Sequence, residues 1–331
     1  MTFLLKRLWQ GLGVLIGTLS LVFVIFACVP DPARELAGQN EREEVVEAFR
    51  IKHGLDKPIV TRYFNYMSAL VPFGAKDDGE FGFRAPSLGN SFITERPVTG
   101  AIGDALPATL LLAFVAMLFA SIFGIATGLT IAVNGPSKSG NFIISICALG
   151  MSAPSFVVAI IVSWLFGYVL HSYTGLPMTG GMVVVDPFEG PKFAFAHIIL
   201  PALTLGVRPL AVIVQLSRNS ALEVLDQPFI RTAKAKGLSK SRIVFKHVLR
   251  NSLNPIITAT SGWFASMLAG AIFVEFVFGW KGMGLLMFSS LEKGDLPVVM
   301  GCTIVIATVF VVVNIVVDLL YGVLDPRVRQ V

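Results

Sequence analysis

Six stretches of this chain, each about twenty residues or longer and almost free of charge, constrain its fold more than anything else in it. They run from about Leu8–Val29, Leu106–Val133, Phe142–Leu170, Ala196–Ala221, Pro255–Phe278 and Val298–Leu324. A helix of roughly 20 apolar residues crosses the ~30 Å hydrocarbon layer of a bilayer while satisfying its own backbone hydrogen bonds. The expected fold class is therefore an all-α integral membrane protein with six transmembrane helices. Composition agrees: of 331 residues 54% are hydrophobic and 14% charged, with a mean hydropathy of +0.75. Pro154 falls in the third stretch and Pro201 and Pro209 in the fourth, where neighbouring helices accommodate proline, usually with a kink. Gly124 and Gly128 in the second form a small-xxx-small pair suited to close helix contact.

The first stretch is too long for a signal-peptide core and has no A-x-A site after it, so it reads as an uncleaved anchor. Ile25-Phe26-Ala27-Cys28 faintly resembles a lipoprotein cleavage box, but Phe26 is bulky for one. Cys28, Cys147 and Cys302 lie in separate spans without metal or disulfide spacing and read as small packing residues. Basic residues orient the chain. Lys6, Arg7, Lys138, Arg327 and Arg329, with the basic loop before the fifth span, fall on one side; the short loops opposite carry only Lys192, Lys281 and Lys293. The positive-inside rule then places both termini of this multi-pass membrane protein in the cytoplasm. The net charge of +5 reflects this asymmetry, and no nucleic-acid partner is expected.

The chain divides into four regions: residues 1–29 (N-terminus and first helix), an extracytoplasmic segment at 30–105, a five-helix core at 106–324 and a cytoplasmic tail at 325–331. In the extracytoplasmic segment Glu41–His53 can form an amphipathic helix through Val45, Val46, Phe49 and Ile51, ending at Gly54.

Within the core, at about 222–255, lies a strongly basic loop with eight Lys/Arg between Arg218 and Arg250 against the two acids Glu223 and Asp226. Asp226 can cap a short helix with Pro228 in its first turn. Phe229, Ile230 and Ala233 share one face of it, and Arg231 and Lys234 another. Gly237 suits the helix end, with cations near the negative dipole pole. Ser239 can cap a second helix through Ile243, Phe245, His247 and Leu249, after which Asn254-Pro255 reopens the chain. A topology signal alone accounts for the charge; capped amphipathic helices add a reason to expect docking.

The run Phe229-Ile230-Arg231-Thr232-Ala233-Lys234-Ala235-Lys236-Gly237-Leu238, followed by Asn251-Ser252-Leu253-Asn254-Pro255, is similar to the EAA loop of ABC-importer membrane subunits, in particular the dipeptide/oligopeptide permease family. Further matches in order are Gly54-Leu55-Asp56-Lys57-Pro58, Leu88-Gly89-Asn90-Ser91-Phe92, Leu106-Pro107-Ala108-Thr109 and Ser152-Ala153-Pro154-Ser155-Phe156. Glu275-Phe276-Val277-Phe278-Gly279-Trp280-Lys281-Gly282-Met283-Gly284 resembles another family element, with Lys281 where proline is usual, and Leu324-Asp325-Pro326-Arg327 the C-terminal signature. The resemblance implies a type I ABC-importer-like fold and a pore-forming permease subunit for peptides. Its implied partners are a second homologous permease subunit (or a second copy of this chain), two ATP-binding cassette subunits, an extracytoplasmic solute-binding protein and membrane lipid. It further implies a loop that docks the ATPase through Glu223, Phe229, Ile230, Arg231, Ala233, Ala235, Gly237 and Leu238. The chain itself is expected to be no enzyme and to hold no cofactor or metal, with ATP and Mg bound by the cassette subunits: it lacks a Gly-Lys pair and hence a Walker-type phosphate loop. Alternatives are a secondary transporter, an importer subunit for nickel, glutathione or oligosaccharide, or a non-transporting scaffold.

Arg208, Glu275 and Asp318 are ionisable residues inside apolar spans. Such groups are costly in hydrocarbon and usually face a bundle interior or water. Arg208 and Glu275 either line a pathway, with Arg208 attracting a substrate carboxylate, or serve structure by pairing with an acid or with carbonyls freed by Pro209.

Overall fold

The apolar stretches become helices of unequal length in this computed structural model, which describes residues 2–28, 33–34, 42–75, 81–186 and 190–324. Thr2–Ala27, Val98–Asn134, Ala196–Leu225 and Leu296–Leu324 each contain a segment long and apolar enough to cross a membrane. Two further stretches are bent pairs: Lys138–Ser152 with Ser155–Val169 at 112°, and Pro255–Leu268 with Ile272–Phe278 at 58°. The described residues thus hold four spanning helices, or up to six if each bent pair is one crossing.

The sharper bend departs from the continuous third span expected from Phe142–Leu170, and its cause is local. Pro154 lacks an N–H and disfavours helical backbone at the residue before it. Ala153 accordingly sits at ψ 134° and Pro154 at ψ 134° before the helix restarts. Pro201 and Pro209, by contrast, are both buried inside Ala196–Leu225, which runs through them as one helix.

The all-α expectation also needs two small corrections. Phe73–Ala75 pairs antiparallel with Phe81–Phe83, and Val183–Asp186 with Gly190–Phe193. Each hairpin stands on β-prone residues: the rings of Phe73 and Phe83 meet edge-on at 5.7 Å across the first, and Val183, Val184 and Val185 form most of one strand of the second.

The chain forms two compact units, Met1–Pro107 with Gly282–Val311, and Ala108–Lys281 with Val312–Val331. In the first, Leu88, Val98, Ile102, Met283, Val298 and Cys302 make a buried core. The buried Asp295 ties it to the loop before Val98: its carboxylate accepts from Ser91 Oγ at 2.5 Å and from the Phe92 amide at 3.0 Å. The helix expected near 41–53 is Glu43–Lys52, closed by Gly54 at φ +64°. Of its expected apolar face only Val46 is fully buried; Val45 and Ile51 are exposed.

In the second unit the helix Val98–Asn134 lies against Ala196–Leu225 through its glycines. A Cβ on Gly124 would stand 2.8 Å from Ile213 Cγ2, and one on Gly128 2.7 Å from Ser217 Cβ. Backbone-close packing of this kind is what small residues permit in membranes, where the hydrophobic effect does not drive helices together. Ile131, Cys147, Ala211 and Val214 continue the contact toward Lys138–Ser152.

Candidate functional site

The basic loop is built as two packed helices. Ala196–Leu225 extends past the expected end of its span, so Asp226 becomes its C-cap rather than the N-cap of the next helix. Gln227 holds that N-cap position, without a side-chain bond, and Pro228 opens the helix Pro228–Ala235. Gly237 adopts φ +74°. Its amide donates to Lys234 O at 3.0 Å, and the Leu238 amide donates to Ala233 O at 3.3 Å. This pair of bonds is the Schellman motif, with the partly buried Leu238 folded back onto the helix it ends.

Ser239 takes the next N-cap position, again with no side-chain bond. From Lys240 the chain continues through a π-helical stretch, Ile243–Leu249, directly into Arg250–Gly270. Asn254-Pro255 therefore does not reopen the chain; Pro255 lies inside a continuous helix. Two turns ahead of the proline Asn251 Nδ2 donates to His247 O at 2.6 Å and Ser252 Oγ to Val248 O at 2.7 Å.

Burial divides the expected docking residues. Ile230 and Ala233 turn inward to Leu129, Ala221, Ile243 and Val248 of the same unit. Glu223, Phe229, Arg231, Ala235 and Gly237 face outward, and Leu238 is half-buried. The Arg231, Lys234 and Lys236 side chains have no ion-pair partner among the described residues. The loop is thus anchored by one helix face and offers the other, cationic with an aromatic ring.

Arg208 lies midway along Ala196–Leu225, with an exposed guanidinium. Its Nε and Nη2 donate to Met151 O at 3.4 and 3.3 Å. That carbonyl belongs to the last turn of Lys138–Ser152, where the helix stops ahead of Pro154. A carbonyl freed by Pro154, rather than by Pro209 or an acid, answers the charge. Beside it is a cavity of about 90 Å³ lined by Ser155, Thr204, Arg208, Trp263, Ser266 and Met267 among others.

Glu275 has a different setting. It is fully buried and takes no part in lining that cavity; its Oε1 accepts from Thr109 Oγ1 at 2.6 Å. It lies in the helix Ile272–Phe278, which ends in a second Schellman turn: Gly279 at φ +63°, its amide on Phe276 O and the Trp280 amide on Glu275 O at 2.8 Å. The buried Trp280 indole then donates to Ala108 O at 3.0 Å. Glu275 thereby belongs to a packed corner. The Asp318 side chain and residues 325–331 lie outside the described residues.

Sequence reasoning passed over Met151, Thr109, Trp280 and Asp295 as partners. Asp295 alone left a signal, an acid immediately before an apolar helix. The others are recognisable only through what the fold sets opposite them.

Long apolar helices, one pair of which is joined by a structured cationic loop, are those of a multi-pass membrane protein. The chain belongs to the family described as binding-protein-dependent transport system inner membrane component, whose model matches residues 120–330, with the N-terminal model of the same systems matching residues 1–113. It is 35% identical over 350 residues, 99% of this chain and 98% of the relative, to the dipeptide transport system permease protein DppB of Escherichia coli K12. To the di/tripeptide transport system permease protein DppB of Pseudomonas aeruginosa it is 33% identical over 346 residues, covering 100% and 99% of the two chains. The glutathione transport system permease protein GsiC of Escherichia coli O1:K1 / APEC is 33% identical over 330 residues, covering 99% of each. The fold resembles that of the inward-facing MetNI methionine ABC transporter, with a TM-score of 0.54 and 18% identity over 69% of this chain and 97% of that one.

Proposed function

We propose that the chain is the pore-forming permease subunit of an ATP-driven importer of peptides. The full-length similarity to di- and tripeptide permeases supports the substrate class. In this reading each bent pair is one crossing, giving six transmembrane helices, with residues 30–105 outside and both termini in the cytoplasm. The chain pairs with a second permease subunit, related or identical, over two cassette subunits that bind ATP and Mg. A solute-binding protein delivers the peptide from outside.

The observation that carries the reading is the loop's construction: Ile230 and Ala233 buried in the chain's own core, Phe229, Arg231 and Ala235 presented outward, and Gly237 closing the helix. A topology signal has no use for such rigidity, whereas a coupling element must transmit the cassette's motion without yielding. Gly237 provides the test. A Cβ there meets nothing within 4 Å, so a substitution acts through the backbone at φ +74° alone. The left-handed conformation costs a residue with a Cβ roughly 1–2 kcal/mol. Gly237→Val is expected to leave the protein in the membrane and to lower peptide uptake per ATP hydrolysed in reconstituted vesicles. Unchanged uptake alongside normal copurification of the ATPase subunit would rule out the loop as the coupling element.

A further inference from the structure

In the first unit, remote from the loop in sequence, is a cavity of about 450 Å³. Part of its wall is apolar: Phe23, Phe26 and Ala27 from the last turns of the first helix, and Leu296, Pro297 and Met300 from the first turns of the last. Both helices contain spanning segments that reach this point, Lys6–Ala27 ending here and Leu296–Val317 beginning here. With these helices crossing the bilayer as in the proposed function, on which this inference rests, the cavity lies where two spans leave the hydrocarbon, at the depth of lipid headgroups.

Basic side chains stand elsewhere on the wall, among neutral ones. Lys52, His53, Lys57 and Arg62 contribute to it, and no Asp or Glu does among the described residues. Two of the four are already engaged. Lys52 Nζ pairs with Glu95 Oε1 at 2.5 Å, and the His53 ring sits 4.3 Å from Phe49 and 4.6 Å from Phe92. Burial and then Lys52 hold the His53 pKa below its usual value, so it adds little positive charge near neutral pH. The nearby Asp295 carboxylate is taken up by Ser91 and Phe92.

Lys57 and Arg62 have no ion-pair partner among the described residues. The guanidinium of Arg62 is partly desolvated, which lowers its pKa. The Tyr66 hydroxyl, one turn further on, is buried and has no hydrogen-bond partner among the described residues. Buried polar groups are ordinarily satisfied, and an orphaned donor asks for an acceptor. Two free cations and an orphaned hydroxyl beside an apolar wall at headgroup depth ask for an anion joined to an apolar tail.

We propose that this cavity binds an anionic phospholipid, its phosphate held by Lys57, Arg62 and Tyr66 and its acyl chains against the first helix, whose Leu21, Val24 and Ile25 are exposed. The phosphate offers acceptors to all three donors at once, and the tail covers apolar surface that the protein leaves bare.

The test is native mass spectrometry of the full chain in neutral detergent, titrated with dioleoylphosphatidylglycerol, with dioleoylphosphatidylcholine and with sodium phosphate at matched ionic strength. The first phosphatidylglycerol is expected to bind roughly tenfold or more tighter than phosphatidylcholine, each basic group near the surface being worth a factor of about five. A K57Q/R62Q double variant should weaken it about 30-fold by the same arithmetic, whereas Lys293→Gln, an exposed lysine of the same unit outside the cavity, should leave it unchanged. Tyr66→Phe keeps the ring and should weaken binding several-fold, so it decides the matter if the double variant does not fold. Equal affinity for the two lipids, or equal loss in Lys293→Gln, would reduce the effect to general surface charge and overturn the site. Displacement of the lipid by phosphate would assign the cavity to a free anion and overturn the lipid.

Discussion

Arg208 carries a charge into the middle of an apolar helix and meets one main-chain carbonyl, Met151 O, at 3.3–3.4 Å. Those are long bonds for a guanidinium, and no acid pairs with it among the described residues. Glu275 shows the contrast: buried, bonded to Thr109 Oγ1 at 2.6 Å and set in a packed corner, it serves the fold. The exposed guanidinium beside its small cavity is not set in such a corner, and we propose that it receives the C-terminal carboxylate of a peptide. Arg208→Gln is expected to lower uptake of a dipeptide about tenfold or more while affecting its C-terminal amide less, as loss of one charge-assisted bond would. Assembled complex recovered in detergent should stay near wild-type yield, because removing the cation leaves no buried acid unpaired. An equal fall for both substrates that tracks the yield would return Arg208 to a structural role.

At the level of elements, glycines decide how this chain packs and turns. Gly54, Gly237 and Gly279 each close a helix in the left-handed region, and each is followed by a residue whose amide reaches back five positions. Gly124 and Gly128 act through absence of bulk, letting Val98–Asn134 approach Ala196–Leu225 to backbone distance. The sequence spacing showed such a pair was available; only the facing Ile213 and Ser217 show that it is used. Gly128→Leu should force the helices apart at a cost of about 1–3 kcal/mol, typical of overpacking. The detergent-purified protein should then unfold several degrees lower on heating, whereas Gly13→Leu, on the first helix with open space around it, should leave the midpoint unchanged. A Gly128→Leu protein as stable as wild type would mean that the close approach contributes nothing.

For the molecule as a whole the first question is sidedness. Basic-residue asymmetry predicts that Arg231 faces the cytoplasm while Glu44 and Lys192 face outward. Single cysteines at these positions, with Cys28, Cys147 and Cys302 replaced by alanine, can be probed in intact cells with a membrane-impermeant thiol reagent. Positions 44 and 192 should be labelled from outside and position 231 only after the membrane is opened; outside labelling of 231 would invert the topology. Much of this was legible in the residues alone. A run of twenty apolar residues has few solutions in a membrane, so the spans and the membrane setting follow from length and hydropathy. Gly237 after a short cationic helix, in a motif of ten consecutive residues, located the loop for a similarly local reason. What sequence could not decide depends on residues far apart in the chain. Pro154 breaks a helix, whereas Pro201, Pro209 and Pro255 lie inside one, and nothing in the adjoining residues alone separates the two outcomes. Ile230 and Ala233 point inward, and not toward a partner, because Leu129 and Ala221 stand behind them. Arg208 meets Met151 across 57 positions, Thr109 meets Glu275 across 166, and Lys57, Arg62 and Tyr66 close on the ends of the first and last helices. Local pattern determined which segments are helical and where they reside; the pairing of their polar groups was left to tertiary structure, because the partner of a polar side chain is whatever the fold brings within its reach.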